Sequence, residues 1–186
     1  MTENISWRTS SSLIFSNGKL VRIYQSERKQ VVKMIVVGMK APHFEGLQEY
    51  SGKTLILFFY PMDFGVIAPD ELLQIEKQSV ELERIGCSVM ALSRCCPQSH
   101  DQFKSVDPAQ GGVRGINFPL LADIDGEIAE KYGVKTEGGY NYRAFFIIDK
   151  EGIVRARVIG DLPIGLGTSD LVRKVQAVLS EEDMQL

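Results

Sequence analysis

The stretch Leu55-Ile56-Leu57-Phe58-Phe59-Tyr60-Pro61-Met62-Asp63-Phe64-Gly65-Val66-Ile67-Ala68-Pro69-Asp70-Glu71 decides the fold. Leu55–Phe59 is a short, unbroken apolar run, the pattern of a strand covered on both faces. Pro61 and Pro69 punctuate the loop that follows. Pro69 suits a first helical turn, where its missing N–H goes unused, and Asp70 and Glu71 complement the helix dipole. Leu72, Ile75, Leu82 and Ile85 then form one helical stripe, which Gly86 closes. Ser88–Leu92 reads as the next strand, so the unit is a parallel strand–helix–strand crossover.

Downstream, Asp125–Tyr132 reads as a short helix. Ala144–Ile148, the turn Asp149-Lys150-Glu151-Gly152 and Ile153–Ile159 read as a hairpin. In its second arm Val154, Ala156 and Val158 alternate with Arg155 and Arg157, which predicts one buried and one wet face. A last helix starts near Thr168–Asp170 and buries Leu171, Val172, Val175, Val178 and Leu179. A βαβ unit followed by ββα is the element order of a thioredoxin-like α/β fold, a mixed central sheet flanked by helices.

The chain has 186 residues, 21 Lys and Arg against 24 Asp and Glu, and 44% hydrophobic residues. That length suits one principal domain with a core that needs no staples. No run reaches the roughly 18 apolar residues of a membrane helix, and no basic stripe marks a nucleic-acid binder. Cys87, Cys95 and Cys96 are too few for a disulfide scaffold and fit a reducing compartment, the cytoplasm. The first 33 residues stand apart, with six basic residues, two acids and six serines. Leu13–Phe15 and Lys19–Tyr24 flank Ser16-Asn17-Gly18, a tight-turn signal, so this segment reads as a hairpin. A targeting extension, which would make the protein organellar, and an artefact upstream of a natural start at Met34 are the other two readings. The lone Trp7 lies in this segment and carries no argument. Residues 34–186 form the main domain.

The motif Phe58-Phe59-Tyr60-Pro61-Met62-Asp63-Phe64 resembles the active-site loop of peroxiredoxins, in the typical two-cysteine, alkyl hydroperoxide reductase C-type branch. The resemblance continues through Ser93, Ser99-His100, Gly111-Gly112, Ile116–Asp123, Tyr132-Gly133-Val134, Arg143–Asp149 and Asp161-Leu162-Pro163-Ile164-Gly165. It implies a thiol peroxidase whose nucleophile is a thiolate in the first turn of a helix, activated by that helix and a nearby Arg. The family motif runs Pro, three residues, Thr, two residues, Cys. In this sequence those positions are Pro61, Gly65 and Ala68. A methyl group cannot be oxidised to a sulfenic acid, so the peroxidatic position is vacant. The Thr hydroxyl that orients the peroxide is missing at Gly65.

Asp70 stands where the family has Thr, and Leu166 stands where the branch has an Arg that pairs with the acid at Glu71. No cysteine follows Cys96, so the C-terminal resolving thiol has no counterpart. Pro61, Glu71 and the activating Arg143 are retained. A single Cys-to-Ala exchange would account for Ala68 but not for Gly65, Asp70 and Leu166 together, which favours natural loss. The segment between Phe44 and Leu47 is also shorter than in most relatives, and the N-terminal hairpin is a conceivable replacement for theirs.

Without a thiolate, a partly buried Arg143 needs another anion, and Asp70 or Glu71 is expected to supply it. Cys95 and Cys96 follow the strand Ser88–Leu92, at the sheet edge where the Ala68 loop also belongs, with no evident helix N-terminus or base. They read as loop thiols, or as a relocated redox pair. Cys96 with His100 is too small a set for a metal site, and no metal or other cofactor is expected. Cys87 reads as a buried hydrophobe, His43 as a surface residue and His100 as structural. The expectation is a non-peroxidase acting through oligomerisation or binding, as a homodimer or ring of dimers joined through Ile153–Ile159. The alternative is a thiol peroxidase served by a thioredoxin-type donor, using Cys95 and Cys96 or descending from an active parent by change at Ala68.

Overall fold

A computed structural model of the chain describes residues 10–16, 19–25, 35–160 and 165–183. Asn17 and Gly18, read as a tight-turn signal, together with Trp7, Met34 and the segment 161–164, lie outside the described residues. The chain separates into two compact units, Met1–Val31 and Val32–Leu186. In the first, β1 (Ser10–Ser16) pairs antiparallel with β2 (Lys19–Gln25), and Ser16 stands opposite Lys19.

The second unit is built on a five-stranded mixed sheet. Its strands are β3 (Thr54–Phe59), β4 (Cys87–Ser93), β5 (Leu120–Ala122), β6 (Arg143–Ile148) and β7 (Val154–Gly160), in the order β5-β4-β3-β6-β7. β3, β4 and β5 run parallel, whereas β6 and β7 add antiparallel. The alternation of β3 sends Ile56 and Phe58 to one core, with Phe145, Ile147, Leu72, Ile75, Leu171 and Val175. Leu55, Leu57 and Phe59 go to the other, with Phe44, Tyr132 and Phe146. Both faces of β3 and β6 are therefore dry, as their unbroken apolar runs require. On the second face Phe59, Tyr132 and Phe146 have ring centroids 5.0–5.8 Å apart, within the range of favourable aromatic pairs.

Three expectations need correction. The stripe read as one helix is two, α1 (Ala68–Glu76) and α2 (Ser79–Arg84). The Gln78 side-chain amide donates to the Gln74 carbonyl at 2.9 Å and to the Thr168 carbonyl at 2.6 Å, while its backbone N–H tightens onto Ile75. The helix breaks to satisfy that contact with a distant segment. A further helix, α3 (Pro97–Ser105), follows β4, where sequence reading found only a loop. On β7, Val154 is buried, but Val158 and Ile159 are 38% and 39% exposed. β7 is an edge strand with one neighbour in the sheet, so the alternation buries less than expected. The remaining helices are α4 (Glu127–Lys131) and α5 (Leu171–Asp183).

After α3 the backbone folds tightly back on itself. A Cβ at Gly112 would lie 2.2 Å from the Val106 carbonyl oxygen, which also accepts the Arg114 N–H at 3.0 Å. The Val106 carbonyl and Cβ that it would meet are held by the chain and have little room to yield. Gly112→Ala is expected to cost at least about 1–3 kcal/mol in urea unfolding, the usual range for overpacking. An unchanged midpoint would contradict that close approach.

Candidate active site

The Tyr60 N–H donates to the Leu92 carbonyl at 3.0 Å, carrying the parallel ladder one residue beyond β3. The chain then leaves the sheet through buried Pro61 and re-enters order at Ile67, the N-cap of α1. Within this loop Phe64 adopts φ 56°, a left-handed conformation that bulky residues seldom take. Its ring packs 4.8 Å from that of Phe103 on α3, which holds the turn in place. The loop delivers Ala68 and Pro69, both buried, to the first turn of α1.

A Cβ at Gly65 would sit 3.9 Å from the Ala68 Cβ and 3.3 Å from the Met62 carbonyl oxygen. Side chains at positions 65 and 68 would therefore be neighbours. Gly65 leaves the space beside the Ala68 methyl without a hydroxyl.

Arg143 opens β6 and is buried, 4% exposed; Glu71, one turn into α1, is 5% exposed. Arg143 Nη1 donates to Glu71 Oε2, and the Leu166 N–H donates to Glu71 Oε1 at 2.9 Å. Burial pushes the Glu71 carboxyl above its ordinary value, against the opposing pull of the Leu166 N–H and the Arg143 guanidinium. Of the two acids considered as counter-ions, Glu71 makes the pair and Asp70 does not. One residue is about 100° of helical turn, which aims Glu71 inward and leaves Asp70 exposed. Leu166 contributes through its backbone, at the position where the resemblance gives the branch an Arg.

A second polar cluster, which sequence reading missed, ties this loop to α3. Asp63 accepts hydrogen bonds from Tyr60 Oη at 2.8 Å, Ser99 Oγ at 2.6 Å and His100 Nδ1 at 3.0 Å. The bond to a carboxylate places the His100 proton on Nδ1. His100 Nε2 is buried without a partner among the described residues. These residues are scattered from position 60 to position 100, and no periodic signal links them.

Burial raises the Asp63 carboxyl, but the bonds from His100, Ser99 and Tyr60 outweigh it and hold the group below its ordinary value. A lowered carboxyl adds stability above the unfolded pKa of about 3.9. That contribution is lost as pH falls through the folded value. Asp63→Asn is expected to flatten the acid side of the stability curve between pH 5 and 2 (approximate limits for such a group). A slope matching that of the parent would contradict this role.

The cysteines separate by environment. Cys87 is buried at the start of β4, and burial pushes its thiol up to about 12, which keeps it protonated. Cys95 is half-buried, and its Sγ accepts the Asp63 N–H at 3.4 Å. Cys96 is exposed and is the N-cap of α3, contrary to the expectation that neither thiol stands at a helix start. Pro97, in the first turn, was the available signal. Among the described residues no group of three or more His, Cys, Asp or Glu is arranged to hold a metal. Cys96 and His100 do not form one, since Cys96 faces solvent while His100 Nδ1 is committed to Asp63. His43 is exposed. No helix among the described residues is long and apolar enough to cross a membrane.

A mixed sheet with a loop-to-helix site after its central strand defines a thioredoxin-like protein of the α/β class. Residues 37–157 match the AhpC/TSA family. The chain is 34% identical over 154 residues to peroxiredoxin-2 of Pongo abelii, covering 76% of this chain and 87% of that one. It is 36% identical over 157 residues to a putative peroxiredoxin in the rubredoxin operon of Clostridium pasteurianum, covering 76% and 88%. Among solved structures it is similar to the reduced 2-Cys peroxiredoxin of Plasmodium vivax, with a TM-score of 0.76, 28% identity and coverage of 79% and 83%. It is also similar to AhpC of Enterococcus faecalis, with a TM-score of 0.69, 26% identity and coverage of 95% and 91%. The chain belongs to the AhpC/TSA family, the peroxiredoxins.

Proposed function

We propose that this peroxiredoxin-family chain has lost the cysteine peroxidase activity and works through association with copies of itself or through binding. The observation that carries the reading is Ala68. Its buried methyl occupies the first turn of α1 at the position the family motif gives to the nucleophile. Peroxide reduction at that point needs a sulfur whose lone pair attacks the O–O bond, and a methyl offers none. Gly65 and the Glu71–Arg143 pair support the same reading, since the guanidinium faces a carboxylate. For association, the resemblance implies edge-to-edge dimers through β7, and the exposed Val158 and Ile159 lie on that strand.

A second reading rests on Cys96 at the α3 N-cap and on Cys95, whose thiol accepts the Asp63 N–H in the loop that leads to Ala68. There a Cys96 thiolate would attack a hydroperoxide, releasing the alcohol and forming a sulfenic acid. Cys95 would then condense with it, releasing water and leaving a disulfide for a thioredoxin-type donor to reduce.

Donor-coupled peroxide turnover on the full chain separates the two. The first reading expects turnover at the level of free thiols, together with a light-scattering mass of a dimer or larger that Ile159→Lys lowers. Turnover well above that level, abolished by Cys95→Ser or Cys96→Ser, overturns it in favour of the second. A monomer at working concentration overturns the association.

A further inference from the structure

Leu55 at the start of β3 stands opposite Ile148 at the end of β6, at the end of the sheet away from α1. A cleft of about 180 Å³ opens there, and Leu55 and Ile148 form its buried floor. Leu47 and Tyr50, both half-buried, form one side. Three loops wall it, and backbone bonds tie them together: Ala41 N–H to the Gly152 carbonyl at 2.8 Å, and Gly52 N–H to the Lys150 carbonyl at 3.3 Å. The cleft is therefore formed before any ligand arrives.

Each loop contributes one lysine to the lining: Lys40, Lys53 and Lys150. Lys40 Nζ reaches the Glu151 carbonyl oxygen at 3.4 Å. Neither Lys53 nor Lys150 makes an ion pair among the described residues. Three acids lie nearby: Asp149, Glu151 and Glu49, the last beside Tyr50. Asp149 is turned inward and engaged, accepting the Ile153 N–H at 2.7 Å and Arg155 Nε at 2.5 Å. Glu151 and Glu49 are exposed, so the three lysines outnumber the two carboxylates left over by one. This concentration of positive charge stands out because residues 34–186 carry 15 basic against 22 acidic side chains.

An apolar floor under a cationic rim selects a ligand with an apolar body and an anionic end. Lysines bind phosphate as point charges, and three lining one cleft from separate loops suit a dianion better than a single carboxylate. The volume falls below the roughly 300–1,000 Å³ of drug-sized sites, which limits the body to about one ring. We propose that this cleft binds a small aromatic phosphate monoester, with its ring against Leu47 and Tyr50 and its phosphate among Lys40, Lys53 and Lys150. No lining residue belongs to the site around Ala68, so this site stands or falls independently of any peroxide chemistry.

Phenyl phosphate titrated into the full chain by calorimetry, with amide shifts followed by NMR, tests the assignment. Saturable binding is expected, with shifts confined to the three loops. The double variant Lys53→Glu, Lys150→Glu should lose at least about tenfold in affinity, and Leu47→Ser at least about threefold. Inorganic phosphate should bind at least about tenfold more weakly than phenyl phosphate, because it gains nothing from the floor. Circular dichroism of each variant confirms that the fold is intact. The proposal is overturned if phenyl phosphate fails to saturate by about 10 mM, or if charge reversal leaves its affinity unchanged. Equal affinity for inorganic phosphate would also overturn it, by reducing the site to a surface anion contact.

Discussion

Glu71→Ala is expected to destabilise the protein by about 3–5 kcal/mol, the range for removing one partner of a buried ion pair. The Arg143 guanidinium is 4% exposed and cannot shed its charge, so losing the Glu71 carboxylate removes a charge-assisted bond from a dry environment. The Leu166 N–H loses its acceptor at the same time. Urea unfolding near neutral pH measures the loss. The double variant Glu71→Leu, Arg143→Met should be less destabilised than Glu71→Ala, because desolvation of both charges disappears with the pair. A Glu71→Ala cost below about 1 kcal/mol would place the pair in the class of surface salt bridges, against its burial. The prediction bears on function because it asks whether this buried arginine now serves the fold.

Ala68→Cys should install a thiol in the first turn of α1 and restore only weak peroxide reduction. The Gly65 position lacks the hydroxyl that the family resemblance assigns to orienting the peroxide. Deleting one transition-state hydrogen bond typically costs about 10²–10³ in rate. Adding Gly65→Thr to Ala68→Cys should recover most of that factor, since a Cβ at 65 stands 3.9 Å from the Cβ at 68. The Met62 carbonyl at 3.3 Å has to give by a few tenths of an ångström to admit it. Stopped-flow peroxide consumption by the single and double variants measures both steps. A single variant as fast as the double would show that the hydroxyl is dispensable here.

Features encoded locally were legible in the sequence. The run Leu55–Phe59 read as a doubly covered strand, and Pro69 with Asp70 and Glu71 marked the start of α1 within one residue. Features created by distant contacts were not. The break between α1 and α2 depends on Gln78 reaching Thr168, 90 residues away. The choice of Glu71 over Asp70 as the partner of Arg143 depends on helix phase relative to a strand 72 residues on. Pro97 carried a usable signal for α3 that two adjacent cysteines obscured, because thiols are poor capping residues. The Tyr60–Asp63–Ser99–His100 cluster joins a loop and a helix through side chains at irregular spacing. Its residues appeared in the sequence only as points of resemblance. The cationic cleft brings together three loops, and charge counts along the chain spread its lysines among neighbouring acids.

The central claim is that this chain has no fast peroxide chemistry, neither at position 68 nor at its three cysteines. Its most direct test is single-turnover reaction of the fully reduced native chain with one equivalent of hydrogen peroxide, followed by stopped flow and by mass spectrometry of residues 60–76. The account expects consumption no faster than that of a peptide carrying the same cysteines unfolded, with no oxygen added to that segment. Rapid consumption of the peroxide, by whichever residue, would contradict it.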